Sequence, residues 1–291
     1  MIALIDGDEI AYKVALQYQR QVFKIKDTKG NILWECFGTK AEAIESIGSN
    51  DNLNLEVIFE PLDIGNIEDI ISNTINNILL GSNCDSCRIY LSGDNNFRYD
   101  FAKLLPYKGN RDGSNPPLFL QYVRSLLIEL GAEFVDHLEA DDLLSANNVI
   151  GETVICSTDK DLRTVPSINY NISKGLLSEI TEDIARYNFW KQMLIGDSVD
   201  NIPSPYLLGE VTATKILDGL FGLSDFDYYQ TIIPEYTKYL YYKDKDNKNY
   251  RTKWFNGQKL EDIFYEIGNL LWMRRTLDVN ERWELPCQKN T

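Results

Sequence analysis

Histidine is almost missing from this chain: His137 is the only one in 291 residues. Cysteine is scarce as well. Cys36, Cys84, Cys87, Cys156 and Cys287 are too few and too scattered for a disulfide framework, which points to a reducing compartment. Cys84-Asp-Ser-Cys87 has metal-knuckle spacing but no second pair, so a four-ligand zinc site has no support. No run of eighteen apolar residues occurs, and the chain reaches Asp6 after only four apolar residues. Neither a membrane span nor a signal peptide is expected, and the chain reads as soluble and cytoplasmic, with no membrane partner. Positive charge is short: 29 Lys plus Arg against 44 Asp plus Glu leave a net −15, the wrong sign for holding nucleic acid by overall attraction. An anionic partner has to be met by a local basic patch or by metal ions. Repeats and low-complexity segments are absent.

What is present is the composition of a packed domain. The AVILMFWYC set makes up 44% of the residues. With 18 glycines the apolar share is about 50%, and the length suits one large α/β domain or a core with a smaller appended region. Ile2 to Ile5 forms a short apolar run typical of a strand buried on both faces, and it stops at Asp6-Gly7-Asp8. Residues 9–18 follow as a helix. Val22 to Asp27 and Ile32 to Phe37 flank Thr28-Lys29-Gly30-Asn31, a hairpin signal. Ile67, Ile70, Ile71, Ile75, Ile78 and Leu79 give a helical stripe, and Arg88 to Ser92 a strand ending before Gly93-Asp94. A helix over 117–130, opened by Pro116-Pro117 and closed by Gly131, leads to a strand over 133–136. Another helix starts at Leu138-Glu139, and a strand over 153–157 runs into Asp159 and Asp161.

This alternation predicts an α/β fold, a mostly parallel central sheet with helices on both faces. Strand signals stop near residue 180. Residues 181–195, 209–220 and 260–276 read as helices. The expected division is a core over 1–180, with an insertion at about 18–87, and a helical C-terminal region over 181–291.

The informative feature is where the acids fall. In an open parallel sheet, ligands bind beyond the carboxyl ends of the strands. Asp6, Asp94, Asp159 and Asp161 lie just after predicted strands, and Glu139, Asp141 and Asp142 follow a fourth. Each has an ordinary reading alone: Asp8 as a helix N-cap, Asp141 and Asp142 as first-turn acids favouring the helix dipole, Asp94 and Asp159 as loop residues. Gathered at one rim, six or seven carboxylates repel unless protonated or neutralised by divalent cations. Oxygen-only ligands select Mg²⁺ or Mn²⁺ over zinc. Basic residues accompany them: Arg98 to Arg124 holds five Lys or Arg against two Asp. Lys238 to Lys259 holds seven against Asp244 and Asp246, interleaved with Tyr239, Tyr241, Tyr242, Tyr250 and Trp254. This second stretch reads either as a solvated loop with aromatic stems in the core or as a backbone-tracking, base-stacking surface.

Six ordered blocks over about two hundred residues carry a family likeness: Ile2 to Asp6, Leu91-Ser92-Gly93-Asp94, Tyr107-Lys108-Gly109-Asn110-Arg111, Glu139-Ala140-Asp141-Asp142, Ser157-Thr158-Asp159-Lys160-Asp161 and Gly196-Asp197-Ser198-Val199-Asp200-Asn201-Ile202-Pro203. They resemble the phage and bacterial branch of the 5′-nuclease superfamily, the flap-endonuclease and exonuclease relatives with a PIN-like core. The resemblance implies one metal site around Asp6, Asp94, Glu139 and Asp141, and a second around Asp141, Asp142, Asp159, Asp161, Asp197 and Asp200. It implies two Mg²⁺ ions, with Mn²⁺ able to substitute, and Lys108 and Arg111 as phosphate contacts beside the scissile bond. Asp6, Asp94, Asp141 and Asp159 join those two as the catalytic set.

After Asp200 the chain resembles a degenerate helix-hairpin-helix that grips duplex backbone, with Gly209 and Thr212 among its DNA contacts. Ser204 and Leu207 stand where glycines are usual, and Val211 where a Lys is usual. Only 27 residues separate Arg111 from Glu139, too few for a full helical arch. The implied activity is 5′-3′ exonucleolytic hydrolysis of DNA from duplex 5′ ends, with flaps and RNA primers on DNA as further substrates. Two rivals remain: a dehalogenase-type phosphatase using Asp6 as nucleophile and Asp8 as general acid, and a catalytically silent DNA-binding module.

Overall fold

The computed structural model describes residues 1–36, 39–47, 53–111, 115–204, 209–240, 258–278 and 280–286. In chain order the elements are β1 (Ile2–Asp6), α1 (Gly7–Gln17), β2 (Gln19–Asp27), β3 (Ile32–Cys36), α2 (Lys40–Ile47), β4 (Leu53–Pro61), α3 (Ile67–Ser82), β5 (Ser86–Ser92) and α4 (Phe97–Phe101). There follow α5 (Leu120–Glu129), β6 (Glu133–Val135), α6 (Ala140–Ala146), β7 (Thr153–Cys156), a 3₁₀ turn (Asp161–Thr164), β8 (Ser167–Asn171), β9 (Leu176–Ile180), α7 (Glu182–Ile195), α8 (Glu210–Ile216), α9 (Asp225–Leu240) and α10 (Leu260–Leu271). No described helix is long and apolar enough to cross a membrane.

The chain parts into two compact units, one of residues 1–7, 77–114 and 132–291, the other of 8–76 and 115–131. The first is built on a six-stranded sheet of order β6-β5-β1-β7-β8-β9, parallel throughout except for the β8–β9 pair. Its centre is β1, where Ala3, Leu4 and Ile5 are buried as the apolar run predicts, and Leu4 lies in register with Arg88 on one side and Ile155 on the other. The mostly parallel α/β architecture read from the alternation is the one observed. Ser167–Asn171 and Leu176–Ile180 gave no strand signal, being short and mixed in polarity. They pair as a hairpin closed by Gly175, whose φ of 65° lies in the left-handed region.

The compact units do not part at residue 180. The C-terminal helices share their apolar cluster with the segment after α4: Trp190, Met193, Tyr228, Tyr236, Phe264 and Ile267 are buried together with Leu104 and Tyr107. α9 had no clear stripe in the sequence, yet Tyr228, Ile232 and Tyr236 at four-residue steps are all buried. The helix expected to run to residue 276 stops at Leu271, because Trp272 turns extended (ψ 123°) and the Arg98 guanidinium takes the carbonyls of Leu270 and Trp272.

The second unit carries an antiparallel sheet of order β3-β2-β4. The predicted β2–β3 turn is present, with the Asp27 carboxylate accepting from the N–H groups of Lys29 and Asn31. β4 and α2 had no sequence expectation. Asp8 is not the cap expected of it: it lies inside the first turn of α1 and pairs with Arg124 of α5. The basic and aromatic stretch from Lys238 to Lys259 and the 205–208 turn lie largely outside the described residues.

Candidate metal-binding and phosphate-binding cavity

Beyond the carboxyl ends of β1 and β7 the first unit has a cavity of ≈ 360 Å³ lined by Glu139, Asp141, Asp159, Asp161, Asp197 and Asp200, with Tyr107, Lys108, Arg111 and Lys160 among them. Four separate segments supply these side chains: 139–141 and 159–161 follow β6 and β7, as the switch-point rule for open parallel sheets anticipates, whereas 107–111 and 197–200 follow helices.

Local backbone features aim these acids and Asp6, which is not itself in the lining. Asp6 ends β1, 8% exposed, and its Oδ2 accepts from Ser157 Oγ at 3.0 Å. The same hydroxyl accepts from the Asp159 N–H (3.0 Å), and Asp159 Oδ1 accepts from the Asp161 N–H (2.7 Å), so one tight turn after β7 orients three acids. Glu139 precedes α6, whose start is tied to β5 by the Ala140 N–H on Ser92 Oγ at 3.0 Å. Gly93 follows β5 where a Cβ would stand 2.3 Å from the Val135 carbonyl oxygen, so no larger residue fits. Asp197 follows Gly196, whose φ of 65° ends α7, and its Oδ1 accepts from the N–H groups of Val199 and Asp200.

Lys108 sits in the left-handed region (φ 55°), a conformation that costs a non-glycine residue free energy. Its N–H donates to the Asp200 carbonyl at 2.9 Å, and its ammonium donates to Glu139 Oε1. Arg111 donates to Asp200 Oδ1. The Tyr107 hydroxyl lies between Glu139 Oε2 (3.0 Å) and Asp200 Oδ2 (2.7 Å). Burial, then those two anions, raise its pKa and keep the phenol protonated.

The acids crowd one another. Asp141 is half-buried, and desolvation together with the charges of Asp159, Asp6, Glu139 and Asp161 raises its pKa well above the carboxylate range. Asp159 is pushed up to about 6 by the desolvating surroundings and by Asp161. Asp197 goes the other way. Although desolvation opposes it, the Lys160 ammonium and the backbone donors lower its pKa.

Asp142 is not in this cavity. It is 0% exposed and faces away from Asp141, as neighbours about 100° apart around a helix must. Both its oxygens are taken by Arg98, at 2.6 and 2.9 Å, with a further contact from the Arg274 N–H at 3.3 Å. Arg98, 1% exposed, has a partner for each of its five N–H groups: Asp142 twice, Glu139 Oε2 at 3.2 Å, and the carbonyls of Leu270 and Trp272 at 3.0 Å. This geometry places Asp142 outside the cavity, as the counter-ion of a buried arginine. Asp94 is also absent from the lining: it is exposed, and its carbonyl accepts from the His137 N–H. Gly209 caps α8 and Thr212 lies exposed in its first turn, away from the lining residues.

Arg98, Tyr107, Lys160, Ser157 and Gln192 carry the geometry without having been assigned a role from sequence. The one available signal was the Asp141-Asp142 pair, since only one of two helical neighbours can face the rim and the other needs its own cation.

Among the described residues no three acids already stand around a common point as metal ligands would. Lysines occupy the carboxylates instead, Lys108 on Glu139 and Lys160 on Asp161 and Asp197. By chemistry the donors fit hard divalent cations: they are all oxygen, and they crowd enough to demand counter-charge.

No protein-family model matches the chain, and no curated protein matches it. Solved structures do. The D15 protein of bacteriophage T5, co-crystallised with metal ions, superposes with a TM-score of 0.54 at 14% identity, over 93% of this chain and 88% of that one. The T5 flap endonuclease in a pseudo-enzyme–product complex with DNA and metal ions gives 0.55 at 14% identity, with the same coverage. The T5 5′-exonuclease with bound zinc gives 0.54, again at 14% identity and the same coverage. The chain has the fold of these phage 5′-nucleases.

Proposed function

We propose that this protein is a divalent-metal-dependent 5′-nuclease that hydrolyses phosphodiester bonds at 5′ ends of DNA. The observation that carries the reading is the cavity that Glu139, Asp141, Asp159, Asp161, Asp197 and Asp200 line together, where desolvation and then the neighbouring acids raise the pKa of Asp141. Natural sequences retain such repulsion where function requires it.

Asp6, Glu139, Asp141 and Asp159 would hold one ion, and Asp161, Asp197 and Asp200 another, with Mg²⁺ the chemically suited metal and Mn²⁺ a substitute. Bound there, the ions supply activation of the attacking water and neutralisation of charge on the phosphate. The rest is the work of side chains. Lys108, fixed by its backbone turn, keeps its proton: although desolvation opposes the charge, Glu139 and Asp200 raise its pKa. Its ammonium is placed to stabilise negative charge developing on the phosphoryl oxygens. Arg111, its side chain 46% exposed at the rim, can fork onto an adjacent phosphate. Tyr107 keeps its proton and spaces Glu139 from Asp200. Arg98 holds Glu139 from behind. Gly209 and Thr212 are proposed to meet duplex backbone, and flaps and RNA on DNA are candidate substrates beside duplex 5′ ends.

The test is cleavage of a 5′-labelled duplex, a flap and an RNA–DNA hybrid with Mg²⁺, with EDTA, and by Asp159→Asn. Metal-dependent release of 5′ products that Asp159→Asn abolishes is expected. Cleavage by Asp159→Asn at the wild-type rate refutes the site.

A further inference from the structure

Four cations meet these acids, Arg98, Lys108, Arg111 and Lys160, and Arg98 and the two lysines differ in how firmly they are held. Arg98 is 1% exposed, with every donor engaged. The Lys108 side chain is 18% exposed and is carried on a backbone turn that hydrogen bonds to Asp200. The Lys160 side chain is 60% exposed, and its ammonium joins Asp161 Oδ1 (2.8 Å) to Asp197 Oδ2.

Those two carboxylates do not depend on Lys160 for their positions. Asp197 Oδ1 is held by the N–H groups of Val199 and Asp200, and Asp161 Oδ1 also accepts from Gln192 Nε2. If the lysine swings into solvent, a preformed pair of anions remains. The oxygens it bridges belong to the ion-binding end of the cavity proposed above.

We propose that Lys160 is a resident counter-cation that competes with a divalent ion for Asp161 and Asp197, and so sets how tightly this end of the site takes up metal. The inference rests on the metal-dependent reading of the cavity. Its physical basis is mass action: an ion that binds only when the ammonium has left has its affinity cut by the fraction of time the carboxylates are free, about tenfold if they are free one time in ten. Lysine suits this role, being a compact charge on a flexible stem, whereas an arginine fork would be harder to dislodge.

The experiment titrates the full chain, stripped with EDTA and dialysed, with Mn²⁺ alone, counting free ion by electron paramagnetic resonance. Lys160→Met should bind its weaker class of Mn²⁺ about tenfold tighter than wild type, and Lys160→Arg should bind it no tighter than wild type. Unchanged or weaker binding in a Lys160→Met protein with wild-type circular dichroism overturns the proposal while leaving the metal site standing. No Mn²⁺ binding by wild type overturns both. A second measurement needs no variant: saturating Mn²⁺ should raise the acetylation of Lys160 in wild type several-fold, read by mass spectrometry, and an unchanged rate overturns the proposal.

Discussion

Asp141 and Asp142 are sequence neighbours on one short helix, yet their surroundings push them in opposite directions. Asp142 is the more deeply buried, and its pKa is lowered; Asp141 is only half-buried, and its pKa is raised well above the ordinary range. Desolvation raises both. What differs is the company: Asp142 meets the Arg98 fork with both oxygens, whereas Asp141 meets Asp159, Asp6, Glu139 and Asp161. Depth does not decide the state of a buried acid; the charge facing it does. On the Arg98 side a carboxylate meets a cation with both oxygens, whereas on the cavity side Asp141 faces other acids.

The largest effect should come from breaking the Arg98 side. Arg98→Met leaves Asp142 buried without its cation and should cost about 3–5 kcal/mol of stability, measured by urea unfolding. A loss below about 1 kcal/mol, the worth of an exposed ion pair, would erase the contrast. On the cavity side the corresponding loss is in rate. Lys108→Ala should raise the barrier by about 3 kcal/mol, a hundredfold or more in turnover, with Mn²⁺ binding little changed. An unaltered kcat removes Lys108 from the chemistry.

The contrast sharpens with pH. Groups with raised pKa values, Asp141 and Asp159, favour the folded state most at low pH, and that contribution is lost as pH rises through their folded values, about 6 for Asp159. Asp142 and Asp197, with lowered values, contribute above the ordinary carboxylate range and lose that contribution as pH falls below it. In EDTA the melting temperature should therefore fall as pH rises from about 4 through 6. Asp141→Asn should flatten that decline, and so should Mg²⁺; a flat profile in the wild type contradicts the crowding. The smallest effect is Asn96→Ala. It removes the N-cap of α4, whose Oδ1 accepts from the Arg98 N–H at 3.0 Å, and should cost about 1 kcal/mol of stability on the Arg98 side alone.

Asp6, Glu139, Asp141, Asp159 and Asp161 were legible as a gathering because parallel strands deliver their ends to one rim, and strand ends can be found by apolar runs; Asp197 and Asp200, which follow α7, came only from the family resemblance. Arg98 was not. In the sequence it belongs to a basic stretch that reads as surface, and nothing local reports that a fold will surround it with two acids and two carbonyls. β8 and β9 were missed for a related reason: their weak alternation becomes a sheet edge only once β7 is in place beside them.

Alternation of apolar runs and helical stripes, a property of neighbours along the chain, was enough to determine the parallel architecture and the rim at which acids collect. Which of those acids share a cavity, which is neutralised by a buried arginine, and which meet a lysine were decided largely by contacts between residues tens to more than a hundred positions apart. A side chain's charge state depends on what folding brings within a few ångströms, and no local pattern encodes that.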